Sequence, residues 1–207
     1  HMSALQSAMN ELSNHDHSRF LTRTNHKVGR ISYAGAEAAS EGVNPAVMRE
    51  AVAIQMTWPG APTVYYGDEA GLCGFTDPDN RRTYPWGRED YQMIDFHRVM
   101  IRIHKNYEVL KTGSLGFLWN DYQGLCYARF SRKEQMIVII NNQAESRDVE
   151  IQLWQAGISR LADTKLKRIV VTSAEGFTEE PEEYTATAGI LKITMPAFGA
   201  MVLHRKN

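Results

Sequence analysis

The feature that most constrains this chain is a change of periodicity near Thr112-Gly113. Before it, strand-like and helix-like segments alternate; after it, almost every patterned segment is a short strand. Strand, helix, strand, helix at such lengths builds a parallel α/β unit, whereas closely spaced short strands with turn signals build antiparallel layers. The expected fold is therefore α/β over residues 1–112 followed by all-β over residues 113–207.

In the first part, residues 8–12 read as a strand whose C-terminal end delivers the polar cluster Ser13-Asn14-His15-Asp16-His17. Asn44-Pro45 opens a helix in the favoured way, with Asn as cap and Pro in the first turn. Val47, Met48, Ala51, Val52, Ile54 and Met56 give it an apolar face. Pro59-Gly60 ends it, and residues 62–66 are expected as a strand buried on both faces. A polar loop spans residues 67–87, and a second amphipathic helix covers residues 90–105. In the second part, seven strand-like runs cover residues 115–119, 125–130, 136–140, 149–153, 168–171, 190–194 and 201–204, suggesting an antiparallel β-sandwich. The acidic stretch Glu179-Glu180-Pro181-Glu182-Glu183 reads as a solvated loop.

Charge narrows the partners. Lys plus Arg is 23 against 24 for Asp plus Glu, so the net charge of -1 lacks the basic excess of a nucleic-acid binder or a polybasic membrane-surface protein. No apolar run reaches the roughly 18–20 residues of a membrane span. His1-Met2 reads as a remnant of tag removal, so the lack of a leader carries no weight and localisation stays open. Cys73 and Cys126 lack metal-ligand spacing and are expected as buried free thiols.

Two clusters carry chemistry. Asn14-His15-Asp16, followed by Arg19, sets a carboxylate between an imidazole and an amide; this suits hydroxyl-rich ligands, and equally suits a loop Asx turn. Asp77 and Arg81 lie four apart across a Pro turn, where they can close the loop as an ion pair or present an acceptor and a planar fork of donors to a sugar. His97 and His104 are expected at the boundary of the second helix, Met48, Met56, Met93 and Met100 as core, and Trp119, Trp154, Tyr122 and Tyr127 as core rather than a stacking platform.

Together, Ser13-Asn14-His15-Asp16 with Arg19-Phe20, and the run from Gly60 to Asp77-Pro78-Asp79-Asn80-Arg81-Arg82, resemble glycoside hydrolase family 13, the α-amylase family, and especially its neopullulanase, cyclomaltodextrinase and amylopullulanase-like members. The resemblance covers essentially the whole chain. It implies the C-terminal part of a (β/α)8 TIM barrel, strand seven through helix eight, joined to a C-terminal β-sandwich. Asp16 is then the third catalytic carboxylate, holding the hydroxyls of the reacting glucose near an oxocarbenium-like transition state, and His15 binds the same sugar. Asp77 and Arg81 match the pair that contacts the next sugar on the non-reducing side. Gly60, Pro62, Gly67 and Glu69 shape the strand-eight turn.

The resemblance places the nucleophilic Asp and the acid/base Glu upstream of these motifs. Retaining chemistry sets those carboxyl groups about 5–5.5 Å apart, and Glu11, Glu37, Glu41, Asp68 and Glu69 offer no convincing replacement. A barrel takes about 250 residues, more than twice the 112 before the sandwich. The implied parent acts on α-1,4-glucans or maltooligosaccharides by a retaining mechanism, and this chain alone is expected to be inactive. The alternative is a structural or glucan-binding fragment that associates with itself or with a companion chain completing the barrel. No cofactor and no metal is assigned, since the family's calcium-binding insertion also lies upstream.

Overall fold

The computed structural model describes residues 2–206, so His1 of the presumed tag remnant lies outside the described residues. The chain runs α1 (Met2–Gln6), β1 (Met9–Glu11), α2 (Phe20–Arg23), α3 (Ile31–Ala34), α4 (Pro45–Thr57), β2 (Ala61–Thr63), α5 (Tyr91–Asn106) and α6 (Glu108–Thr112). Strands follow: β3 (Ser114–Asn120), β4 (Gly124–Phe130), β5 (Glu134–Asn141), β6 (Arg147–Gln152), β7 (Thr164–Thr172), β8 (Phe177–Thr178), β9 (Glu183–Ala186), β10 (Ile190–Met195) and β11 (Gly199–Lys206). Among the described residues no helix is long and apolar enough to cross a membrane.

Both expected long helices form, the first with the expected cap. The Asn44 side chain accepts from the Ala46 and Val47 amides at 3.0 and 3.3 Å, with Pro45 in the first turn of α4. Asp90 accepts from the Met93 amide at 3.0 Å and opens α5. Met48, Val52 and Met56 of α4 join Met93, Phe96 and Met100 of α5 in one core, where each methionine fills space as anticipated.

Strands β1 and β2 pair in parallel, Met9 opposite Ala61 through Glu11 opposite Thr63. Gly60 holds φ 132° at the entry to β2, and a Cβ there would lie 2.7 Å from the Ala8 carbonyl oxygen, so only glycine permits the approach. The ladder is shorter than residues 62–66 and is not buried on both faces. Only β1 flanks β2 among the described strands, and Tyr65 and Tyr66 leave the ladder to pack their rings around the Arg19 guanidinium, 4.5 and 4.8 Å from it.

The C-terminal strands form two antiparallel layers. Seven strands make one sheet in the order β3-β4-β5-β11-β7-β8, with β9 also on β7; β6 and β10 make the second. Alternation decides which face each residue takes. Tyr127, Met136, Val138, Ile140 and Val202 join the core shared with α4 and α5. Cys126, Ala128, Ile137, Ile139 and Leu203 point the other way, into a core with Val149 and Ile151 of β6 and Leu191 and Ile193 of β10. Both cysteines are buried and free, in line with the sequence reading.

Four details differ from that reading. The acidic stretch is not simply solvated, because Glu183 opens β9 and Glu179, Glu182 and Glu183 pair with Arg102, Arg168 and Lys165. Strands β8 and β9 had no clear sequence signal, being two residues long and charge-bearing respectively. His97 is buried rather than peripheral: its Nδ1 lies 2.9 Å from the Met93 carbonyl, and burial lowers its pKa, keeping the ring neutral. Tyr122 is exposed, whereas Tyr127 is core, with its hydroxyl 2.5 Å from Thr57 Oγ1.

Polar groups cross from the helices to the sheet. Buried Arg129 of β4 donates to the carbonyls of Thr57 and Gly113, both at 2.9 Å. Buried Arg49 of α4 donates to the carbonyls of Ser173 and Ala174, at 2.9 and 3.1 Å, in the turn between β7 and β8.

Candidate functional site

The loops leaving the C-terminal ends of β1 and β2 meet, and both carry candidate residues. The first begins with an Asx turn: Asn14 Oδ1 accepts from the amides of Asp16 at 2.9 Å and His17 at 3.1 Å, while Asn14 Nδ2 donates to Glu11 at 2.8 Å. The bland reading of this motif is thus part of the structure, and its effect is to turn His15 and Asp16 outward. Their side chains, 62% and 68% exposed, face each other with His15 Nε2 3.5 Å from Asp16 Oδ1.

The second loop clasps the first. Asn80, fully buried, donates from Nδ2 to the carbonyls of His17 at 2.8 Å and Asn14 at 3.2 Å. Thr76 Oγ1 donates to the Asp16 carbonyl at 2.9 Å. Gly74 makes the close contact possible, since a Cβ there would lie 2.5 Å from the Asp79 carbonyl oxygen. Asp77 and Arg81 flank this clasp, half-exposed and joined Oδ1 to Nε at 2.5 Å. The structure therefore brings all four sequence-derived residues onto one exposed rim.

Beneath the rim lies a polar frame that sequence reasoning left without roles. Arg19, wholly buried, donates to Asp68 Oδ1 at 3.0 Å, to the Tyr66 carbonyl at 2.6 Å and to the Asn80 carbonyl at 2.9 Å. Burial raises the Asp68 carboxyl above its usual range, opposed by the Ser13 hydroxyl and the Arg19 charge. Asp79, also buried, accepts from the Phe75 amide and from both Nε and Nη2 of Arg82, each at 2.8 Å. The available signal was the clustering of Asp, Asn and Arg in a loop also rich in Gly and Pro; such side chains are buried only when their hydrogen bonds are met.

The rim can bind a polyhydroxylated ligand, because carboxylates accept, the guanidinium donates, and His15 does either. It carries two carboxylates, Asp16 beside His15 and Asp77 on Arg81. Among the described residues, the side-chain partner of Asp16 is His15; Glu11 accepts from Asn14, Asp68 from Arg19, and Glu69 from the Gly67 amide at 2.9 Å. Among the described residues no cluster of three or more His, Cys, Asp or Glu is arranged to hold a metal ion.

Comparison with known proteins is consistent with this geometry. The family described as "Alpha amylase, catalytic domain" matches residues 1–159. An amylopullulanase of Thermoanaerobacterium saccharolyticum is 31% identical over 97% of the chain, which spans 16% of that relative. Neopullulanase 2 of Thermoactinomyces vulgaris is likewise 31% identical over 97%, spanning 30% of the relative. The chain thus covers well under two thirds of these relatives. Among solved structures, an α-amylase of Geobacillus thermoleovorans complexed with acarbose has a TM-score of 0.75 at 21% identity, covering 98% of this chain and 39% of that one, a likeness of fold.

Proposed function

Since the chain belongs to the α-amylase family of glycoside hydrolases, we propose that it forms the part of a (β/α)8 enzyme from strand seven through helix eight, residues 1–112, followed by a C-terminal β-sandwich over residues 113–207. The shift from α6, ending at Thr112, to β3, starting at Ser114, supports that division. Its substrate is an α-1,4-glucan or maltooligosaccharide, cleaved with retention of configuration.

The observation that carries this reading is the Asn80 clasp, which sets Asp16 and His15 beside Asp77 and Arg81 at the C-terminal ends of two parallel strands, where such folds keep their chemistry. Asp16 takes the hydroxyls of the sugar at the scissile bond, gripping harder as the ring flattens towards an oxocarbenium ion; only that increase accelerates the reaction. His15 shares the same sugar. Asp77 and Arg81 hold its neighbour, and their binding energy positions the bond to be broken.

Retaining hydrolysis needs a nucleophile and an acid/base that the rim does not supply. The isolated chain is therefore inactive, and reducing-sugar release from maltotriose by the purified chain tests this; release above the buffer control rejects it. A binding role is tested by titration with maltooligosaccharides, where Asp16→Ala and Asp77→Ala weaken the interaction.

A second reading, a non-catalytic piece that assembles with itself or a companion, is favoured by the bare parallel pair. Among the described strands β1 and β2 have no partner but each other, and beside them runs a groove of about 430 Å³ lined by Met9, Leu12, Ile54, Trp58 and Leu125. Unpaired edges next to apolar surface invite another chain. Sedimentation decides: a clean monomer across the micromolar range removes self-association, and activity regained on mixing with a companion carrying the other carboxylates supports assembly.

A further inference from the structure

The long loop after β2 carries an aromatic pair that neither the rim nor the core uses. Trp86 is 79% exposed, and among the described residues its ring contact is with Tyr84, centroids 4.5 Å apart and planes inclined by 48°. The neighbouring backbone is built to hold the indole outward. The Trp86 amide donates to the Tyr84 carbonyl at 2.9 Å, Arg88 closes a turn onto the Pro85 carbonyl at 2.8 Å, and Gly87 takes φ 76°, which favours glycine. Tyr84 lies near Glu69, whose carboxylate accepts from the Gly67 amide at 2.9 Å at the end of the β2 turn.

The pair is also tied to the rim. Trp86 is five positions from Arg81, so their Cα atoms are at most roughly 17 Å apart, and the Tyr66 hydroxyl donates to the intervening Arg82 carbonyl at 2.8 Å. A flat exposed indole on a braced turn, with the exposed cations Arg81 and Arg88 five and two positions away in the chain, suits a ligand with an apolar ring face and a hydroxylated edge. A protein segment of matching area would instead require a continuous apolar patch.

We propose that Tyr84 and Trp86 form a stacking platform for a pyranose ring of an α-glucan chain whose nearer units lie on the Asp16 and Asp77 rim. This rests on the function proposed above and extends it with a distal binding position. The platform favours long glucans, because only a chain that crosses the rim reaches the indole.

The experiment titrates the full 207-residue chain with maltoheptaose and with maltose, following tryptophan fluorescence and, independently, heat of binding. Trp86→Ala weakens maltoheptaose binding about tenfold and abolishes most of the fluorescence change, while Trp86→Phe, which keeps a ring, restores most of the affinity. Maltose binding is little altered by either. Trp86 is on the surface, so both variants melt at the wild-type temperature, and circular dichroism checks this. Wild-type affinity for maltoheptaose in Trp86→Ala overturns the platform. If Asp77→Ala weakens binding and Trp86→Ala does not, the platform fails and the rim stands. If Trp86→Ala alone weakens it, the rim assignment fails and the platform stands. A wild-type chain that binds no maltoheptaose overturns both.

Discussion

Arg19 and Asp68 form an ion pair inside the protein, Nη1 to Oδ1 at 3.0 Å, although they lie 49 positions apart. The pair fastens the loop after β1 to the turn after β2. Arg19 does more than neutralise Asp68: it closes on two carbonyls and lies against the rings of Tyr65 and Tyr66, which also touch each other. The exposed rim residues thus stand on a frame that water does not reach.

Removing one member of this pair strands the other's charge in the interior, which costs about 3–5 kcal/mol. Arg19→Met is accordingly expected to lower stability by that amount in urea denaturation. The double variant Arg19→Met/Asp68→Leu should recover part of the loss, since no unpaired charge remains. Equal destabilisation by the single and double variants contradicts the buried-charge argument.

Asn80→Ala tests the clasp. It removes two hydrogen bonds from a fully buried amide and leaves the carbonyls of Asn14 and His17 without those donors, at a cost of about 2 kcal/mol. The expected local consequence is faster amide exchange over residues 14–17 and weaker maltooligosaccharide binding, although residue 80 need not touch the sugar. Unchanged exchange in that segment rules the clasp out as the element holding Asp16 in place.

Much of the α/β part was legible because its signals are local. Asn44-Pro45 and the helix-period methionines each specify structure within a few residues, and both behave as expected. Asn14 could be read two ways from sequence, and its Asx turn is what presents Asp16. Arg19, Asn80 and Asp79 were less legible, since their burial depends on partners up to 66 positions away, and a polar residue's composition alone favours exposure. The turn to β8 and the charged start of β9 are likewise decided by pairing with β7, not by their own propensity.

Arg49 should couple the helices to the C-terminal sheet. Its guanidinium is held by the Ser173 and Ala174 carbonyls and lies 3.4 Å from Gln92 Oε1, while Phe96 of α5 packs on Phe177 with centroids 5.1 Å apart. Arg49→Ala breaks charge-assisted bonds in a dry setting, with a loss of about 3 kcal/mol. Hydrogen exchange should accelerate first in residues 173–176, before either core opens. Uniform acceleration throughout the chain indicates a global rather than an interface effect.

Glu50 sets an expected pH dependence. It is buried on α4, its Oε1 has no hydrogen-bond partner among the described residues, and burial raises its pKa from the ordinary 4.5 to about 8, against the opposing charge of Arg49. The folded protein therefore binds a proton at Glu50 that the unfolded chain releases near pH 4.5. Between about pH 4.5 and 8 the folded state holds more protons, so stability contributed by this group is full below the lower limit and is lost as pH rises, by up to about 1.4 kcal/mol per pH unit. Glu50→Gln, which cannot ionise, should lack this decline, so its advantage over wild type grows from pH 5 to pH 8 in parallel denaturation series. Curves that stay a constant distance apart across that range show that Glu50 is ionised in the fold and dismiss the argument.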